Sequence, residues 1–277
     1  TALYFQENFW PAAFMKIMVG GRYEMFDGDL TNNLTDTDYS YSESIFNPKA
    51  GVLITPVDGL DFFANIGKGF VLPKGYKKFE NGDLDPSDLT SYDAGVRYLP
   101  VPEMLFQLSL FRTDSEDEII TDPFTLEEEN AGETRRQGVE ASAEWYVISD
   151  LLVYVNGTYQ DSEYVDYNTS SGDYSGNEIK RVPEWIAKAG IEYFPSLGFG
   201  GSLSAKYTGE RWNDNENTIR EDDFWIFDAS IRYAFEKVTY TLFVNNLFDE
   251  KYAELRSASS YYPSNPLNVT LSCSFDF

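Results

Sequence analysis

Arg211, Trp212 and Arg220 stand close together in one polar stretch, and Arg256, Tyr261 and Tyr262 follow in the last one. A guanidinium forks onto a carboxylate through two parallel hydrogen bonds, and an aromatic face accepts flat or cationic groups. Together these groups suit an anionic, partly flat ligand such as a metal chelate. The competing account is plainer: the same arginines have Asp214, Glu216, Glu221, Asp222 and Asp223 as neighbours, and would pair with them. A second basic pair, Arg135 and Arg136, reads as structural ion pairing with Glu140 as a partner. The run Glu127, Glu128 and Glu129 reads as a solvated acidic loop. The acidic stretch from Asp27 to Asp38 lacks the spacing and closing glutamate of a calcium-binding EF-hand loop.

Much chemistry is excluded by composition. There is no histidine, so Ser-His-Asp and Cys-His catalysis and histidine-ligated zinc are absent from the sequence. No convincing nucleophile–base pair stands in their place, and neither enzymatic activity nor a cofactor is expected. Cys273 is the single cysteine, which rules out an intrachain disulfide, and its place in an apolar row predicts a packed, inert thiol. The formal charge of −25 argues against nucleic acid, which needs a basic footprint.

The elements that must carry these residues are strands. The closing segment alternates Leu271, Cys273, Phe275 and Phe277 with Ser272, Ser274 and Asp276, the period-two pattern of a strand between an apolar and a wet medium. The alternation recurs. Ile17, Val96, Ala143, Ile191, Tyr207, Ile231 and Leu242 fall on apolar faces, with Lys16, Arg97, Glu144, Glu192, Lys206 and Arg232 opposite. About 13 strand-like segments result. No apolar run reaches about 18 residues, so a transmembrane helix is not expected; no secretory signal is read at Thr1 either.

Connections alternate between short and long. Short ones lie near Pro11, Asp58, Pro102, Ser149, Leu197 and Glu236; long, acidic ones cover roughly 27–44, 71–90, 114–136, 161–183, 209–223 and 249–265. A soluble sandwich has no reason for that alternation, whereas an outer-membrane barrel keeps short turns on the periplasmic side and long loops outside. Tyr98, Trp145, Tyr193, Tyr233 and Phe277 each close an apolar face near a short turn or the chain end, as a ring of interfacial aromatics would. Thirteen strands ending at the periplasm put residue 1 on the extracellular side. Single-chain barrels have even strand numbers, so the chain is expected to be the C-terminal piece of a longer barrel.

The motifs then become recognisable. LYFQENFW and VGGRYEMF, NPKAGVLITPVDGLDFFANIGKGFVLP with Pro48 and Pro73, NAGETRRQGVEASAEW, VPEWIAKAGIEY with Pro183, and NNLFDEKY follow in order. In NAGETRRQGVE the residues Asn130, Gly132, Thr134, Arg135, Gly138, Val139 and Glu140 fall in place. In this order and spacing the chain resembles the C-terminal half of TonB-dependent outer-membrane receptors over essentially its full length.

That resemblance implies an all-β fold: an antiparallel transmembrane β-barrel wall of about 13 strands from a 22-strand barrel, with the N-terminal plug domain and TonB box outside this chain. Residues 1–277 form one such segment. It implies a Gram-negative outer-membrane location, contact with outer-membrane lipid and lipopolysaccharide, and dependence on TonB through the missing N-terminal region. The function implied is energised uptake of a scarce chelate, most often a ferric siderophore. A passive porin-like channel is the alternative that strand alternation alone allows.

Overall fold

The computed structural model describes residues 1–73, 84–121, 128–169, 172–256 and 260–275. Its strands in chain order are β1 (Ala2–Ala12), β2 (Met15–Asn32), β3 (Thr37–Val57), β4 (Leu60–Val71), β5 (Ser87–Tyr98), β6 (Met104–Glu116) and β7 (Ile119–Thr121). Next come β8 (Glu128–Asn130), β9 (Glu133–Ile148), β10 (Leu151–Asp166), β11 (Asn168–Thr169), β12 (Gly172–Asp173), β13 (Trp185–Tyr193) and β14 (Gly198–Thr208). The last are β15 (Arg211–Trp212), β16 (Arg220–Glu221), β17 (Phe224–Phe235), β18 (Val238–Asn245), β19 (Ala253–Arg256), β20 (Tyr261–Pro263) and β21 (Asn268–Phe275). A 13-stranded sheet takes the order β1-β2-β3-β4-β5-β6-β9-β10-β13-β14-β17-β18-β21, so each of its strands lies beside its neighbour in sequence. Four small hairpins, β7/β8, β11/β12, β15/β16 and β19/β20, interrupt the long connections.

The register fixes the two faces. Leu151, Tyr193, Gly201, Ile231, Leu242 and Leu271 form one continuous cross-strand row. The adjacent row on the other face carries Arg232, Thr241 and Ser272. Directly paired residues share a face, and one step along a strand changes it. Ile231 and Arg232 therefore lie on opposite sides, as the alternation predicts. Ile231 is 61% and Leu271 71% exposed, while Arg232 donates from Nη1 to the Pro195 carbonyl at 2.7 Å. Glu7 interrupts the apolar side of β1, opposite Val19.

A soluble sandwich would bury its apolar rows. Here Ala131, Tyr167, Tyr174 and Ile179, all in the connections, are among the most buried apolar side chains, whereas strand residues such as Leu203, Ile231, Leu242 and Leu271 stay exposed. A contiguous apolar face of this kind needs a partner medium, and for an all-strand wall that medium is lipid.

The chain divides into two compact units. The first is Thr1–Gly95, Leu110–Gln137 and Ser162–Asn177. In it β2 and β3 pair continuously from Met15↔Ile54 to Asn32↔Thr37. The stretch 27–44, read from sequence as a long loop, is therefore mostly ladder. Its turn is closed by Asn32 Oδ1, which accepts from the Leu34 amide at 3.0 Å, and by Asp36 at positive φ.

The NAGETRRQGVE segment holds the connections of this unit together. Asn130 donates to the Asp117 and Asp85 carbonyls at 2.6 and 3.1 Å and accepts from the Asp85 amide at 3.0 Å. Gly132 has φ +61° and lies so close to the Asp166 carbonyl that a Cβ would clash. Arg135 reaches Asp114 at 2.8 Å and Glu163 at 3.2 Å, while Arg136 takes Glu118 bidentately at 2.6 and 2.8 Å. Structural pairing is thus correct, but the partners are these acids and not Glu140, which lies four and five residues further along β9, about 13–17 Å away. Tyr167, whose ring packs at a tilt against Tyr164 and Tyr174 with centroids 4.9 and 5.2 Å away, donates its hydroxyl to Glu129. Burial, reinforced by that carboxylate, pushes its phenol well above the ordinary value. Glu127 lies outside the described residues.

The second unit is Val96–Ser109, Gly138–Asp161 and Glu178–Phe277. Its apolar face carries two aromatic rows. Near the short turns stand Tyr98, Trp145, Tyr193, Tyr233 and Tyr240, all 39–48% exposed, with Phe199 packed on Tyr233 at 4.7 Å. The predicted member Phe277 lies outside the described residues. At the other end Tyr159 packs on Trp185 at 4.8 Å and Tyr207 on Trp225 at 4.9 Å. Trp225 and Tyr233 are eight residues apart on β17, about 26 Å along the strand, and a tilt of roughly 40° leaves an apolar band about 20 Å tall. That is the dimension of a membrane-spanning barrel wall. Cys273 pairs with Tyr240 on this face and is exposed, a correction to the packed thiol expected from sequence: β21 is a terminal strand of the order, and its apolar side meets the outer medium.

Candidate functional site

The residues singled out for ligand binding fall on two hairpins of the second unit. Arg211 and Trp212 are β15, which pairs with β16 through Arg211↔Glu221 and Trp212↔Arg220. Arg256 and Tyr261 pair across β19 and β20, with Tyr262 next in line. Asp214 makes the first hairpin turn: its carboxylate accepts from the Thr218 amide at 3.0 and 3.1 Å and from the Ile219 amide at 2.7 Å. Burial acts to raise the Asp214 carboxyl, but these donors and the Thr218 hydroxyl outweigh it and hold it below its ordinary range.

The second hairpin is set by NNLFDEKY. Asn246, at φ +51°, donates to the Glu250 and Asn265 carbonyls at 2.9 and 3.0 Å and accepts from the Glu250 amide at 2.8 Å. Its own amide is held by Asp228 Oδ1 at 2.8 Å, and Asp249 Oδ1 takes the Leu267 amide at 3.0 Å. The motif is thus a clasp that folds the last connection back onto β17. Tyr252 then stacks on Phe224 with centroids 4.0 Å apart and planes 9° apart. Burial, then the charge of Glu254, raises the Tyr252 phenol above its ordinary value.

The two hairpins touch. Arg211 Nη2 donates to the Ala253 carbonyl at 2.8 Å and the Glu254 carbonyl at 3.3 Å. The Ala253 amide reaches Glu221 Oε1 at 3.3 Å, and Arg256 Nη1 lies 3.6 Å from Glu221 Oε2. Arg220 pairs with Glu210, and its guanidinium sits 5.6 Å over the Trp212 ring. The structure therefore brings all the predicted residues into adjoining hairpins and gives each arginine an internal partner, but the acidic neighbour named from sequence that serves is Glu221, for Arg256; Arg220 takes Glu210 and Arg211 takes two backbone carbonyls.

Beside the junction is a groove of about 570 Å³ whose lining includes the charged residues Glu221, Asp249, Glu250, Lys251 and Arg256 and the rings of Tyr252 and Tyr261; of the six predicted residues, Arg256 and Tyr261 line it. Tyr261 is 68% exposed, so its ring is open to a ligand. Asn213 was not foreseen: it is 4% exposed, and while its backbone amide donates to the Ile219 carbonyl at 2.8 Å, neither side-chain Oδ1 nor Nδ2 has a hydrogen-bond partner. Tyr252 and Glu221 were also missed as lining residues. Their signal was the aromatic–acid content of the same two stretches, which does not reveal direction. Among the described residues there is no cluster of acidic, cysteine or histidine side chains suited to a metal ion.

Comparison with known proteins agrees with this architecture. The family model "TonB dependent receptor-like, beta-barrel" matches residues 1–247. The chain is 26% identical over 268 residues to the ferrichrome outer membrane transporter/phage receptor of Escherichia coli K12, covering 91% of this chain and 34% of that protein. In structure it is similar to the siderophore receptor PiuA of Acinetobacter baumannii, with a TM-score of 0.82 and 19% identity over 99% of this chain and 42% of that one. It is also similar to the ferric citrate transporter FecA in its unliganded form, with a TM-score of 0.80 and 21% identity over 100% of this chain and 44% of that one. The chain thus spans about a third of the curated relative's length. With its lipid-facing rows, its aromatic girdles and this match over most of its residues, the chain belongs to the TonB-dependent receptor family and contributes strands of its outer-membrane β-barrel.

Proposed function

We propose that residues 1–277 are the C-terminal barrel segment of a receptor that takes up a ferric siderophore across the outer membrane with energy delivered through TonB. The observation that supports the site is the contact of the two hairpins through Arg211 and Glu221, beside a groove lined by Arg256, Tyr252 and Tyr261. Arg211, Trp212, Arg220, Arg256, Tyr261 and Tyr262 are the ligand-binding residues of this reading. Guanidinium donors meet the negative charge of the chelate, and the Trp212, Tyr261 and Tyr262 faces meet its flat groups. The present partners of the arginines hold them in place until a ligand exchanges with them. The names of the relatives support an iron chelate: a ferrichrome transporter, a siderophore receptor and a ferric citrate transporter. They are transporters and receptors, which favours uptake over enzymatic chemistry and over a porin.

The test is uptake of iron-labelled siderophores by cells whose receptor carries this segment. Accumulation that stops when a protonophore collapses the inner-membrane gradient supports a receptor. Accumulation that continues unchanged, in proportion to external concentration, supports a passive channel and rejects the proposal.

A further inference from the structure

The apolar face of the second unit is dented. A groove of about 540 Å³ has Ala143, Ala189 and Ala205 among its lining residues, with Phe106, Leu203 and Phe227 along its sides. A second depression of about 500 Å³ shares Phe106, Ala143 and Val155 with it and continues over Ala141, Gly157 and Ala187. The register explains the shape. Val155, Ala189, Ala205 and Phe227 form one cross-strand row, and Gly157, Ala187, Tyr207 and Trp225 the next, so small side chains from neighbouring strands coincide while large ones bound them.

We infer that this trough holds one acyl chain of a periplasmic-leaflet phospholipid with an ammonium headgroup. The inference goes beyond the uptake reading and rests only on the outer-membrane location. The trough lies between the two aromatic rows, so soluble partners do not reach it. Its lower end, at Met104, Trp145 and Val153, is beside the short turns that face the periplasm. Those turns, residues 99–103 and 149–150, carry the exposed carboxylates Glu103 and Asp150 and no lysine or arginine. Such a rim repels an anionic headgroup and attracts an ammonium. A shallow trough floored by small residues and bounded by larger ones admits an acyl chain, and close packing is what drives association inside a bilayer.

The receptor is extracted from outer membranes in mild detergent and examined by native mass spectrometry with phosphatidylethanolamine or phosphatidylglycerol of identical acyl chains. One phosphatidylethanolamine is expected per protein, retained about fivefold better than phosphatidylglycerol. Filling the trough with A143L/A189L/A205L should abolish retention. Phe106→Ala, which removes a wall without adding volume, should weaken it and guards against misfolding of the triple variant. Glu103→Gln with Asp150→Asn should keep the lipid and lose the headgroup preference. Brominated acyl chains should quench Trp145 in the wild type more than in Phe106→Ala. Equal retention in wild type, filled and Phe106→Ala proteins, a preference for phosphatidylglycerol, or a dimer in place of the lipid adduct would each overturn the inference.

Discussion

Arg211 donates to the carbonyl of Ala253 across 2.8 Å, joining two connections that are 42 residues apart in sequence. The first connection ends β14 and the second ends β18, so the guanidinium makes one body of what the sequence writes as two loops. A charged donor to a backbone acceptor is worth about 1.5–3 kcal/mol. Arg211→Ala should therefore loosen residues 249–266 as well as its own hairpin. Limited proteolysis read by mass spectrometry should show faster cleavage in both, with the strands unaffected; faster cleavage near residue 211 alone would show that the loops are independent.

The two faces give a second expectation. Leu203 sits midway between Phe199 and Tyr207 on β14, in the row of Ile191 and Ala229. Leu203→Arg should cost about 2–4 kcal/mol of stability in a bilayer, the range for a cation near the midplane of the lipid face. Ser204→Arg, one step along and beside Asp228, should cost far less. Urea titrations of the folded protein in lipid vesicles measure both, and equal costs would contradict the assignment of faces.

Gly132 is a backbone requirement rather than a preference. Its φ of +61° disfavours any side chain, and a Cβ would meet the Asp166 carbonyl. Gly132→Ala should cost about 1–2 kcal/mol for the left-handed conformation alone, with more from the clash. Hydrogen exchange should reveal the loss at residues 117–121 and 162–169, whose protected amides depend on this contact.

These cases show what was legible in the sequence. Strands such as β17 announce themselves, because Phe227, Ala229, Ile231 and Tyr233 alternate with Asp228, Ser230 and Arg232, and the lipid side, the strand number and the neighbour order all follow. The ladder from Asp27 to Ser44 was hidden, since DGDLTNN carries turn-forming residues throughout and its pairing depends on register, not on apolar content. The second aromatic row was hidden for another reason: Tyr159, Trp185 and Trp225 come from three strands, and only pairing shows that Tyr159 meets Trp185. At the site, residue types were readable but partners were not: Arg220 takes Glu210, ten residues back, although Glu221 is adjacent in sequence, and Arg211 takes two backbone carbonyls of the other hairpin.

Acidity should act on the first hairpin through Asp214. Its folded carboxyl lies below the ordinary value of 3.8, so the stabilisation it contributes is fully present above that value and is lost as pH falls through the folded pKa. Amide protection at Thr218 and Ile219 should accordingly be flat from pH 7 to about 4 and decline below. In Asp214→Asn the decline should be absent, with lower protection at every pH. A wild-type decline centred near pH 6 would contradict this account.

On the proposed reading the joined hairpins receive a ferric chelate. This is tested most directly by the equilibrium affinity of the whole receptor for its cognate ferric siderophore, compared with the variant in which Arg211, Trp212 and Arg220 are alanine. Loss of two guanidinium contacts and one aromatic face should weaken binding at least about tenfold, since each tenfold corresponds to only about 1.4 kcal/mol, while heat-modifiable mobility shows the barrel still folded. An unchanged affinity in a folded variant would remove these residues from the site.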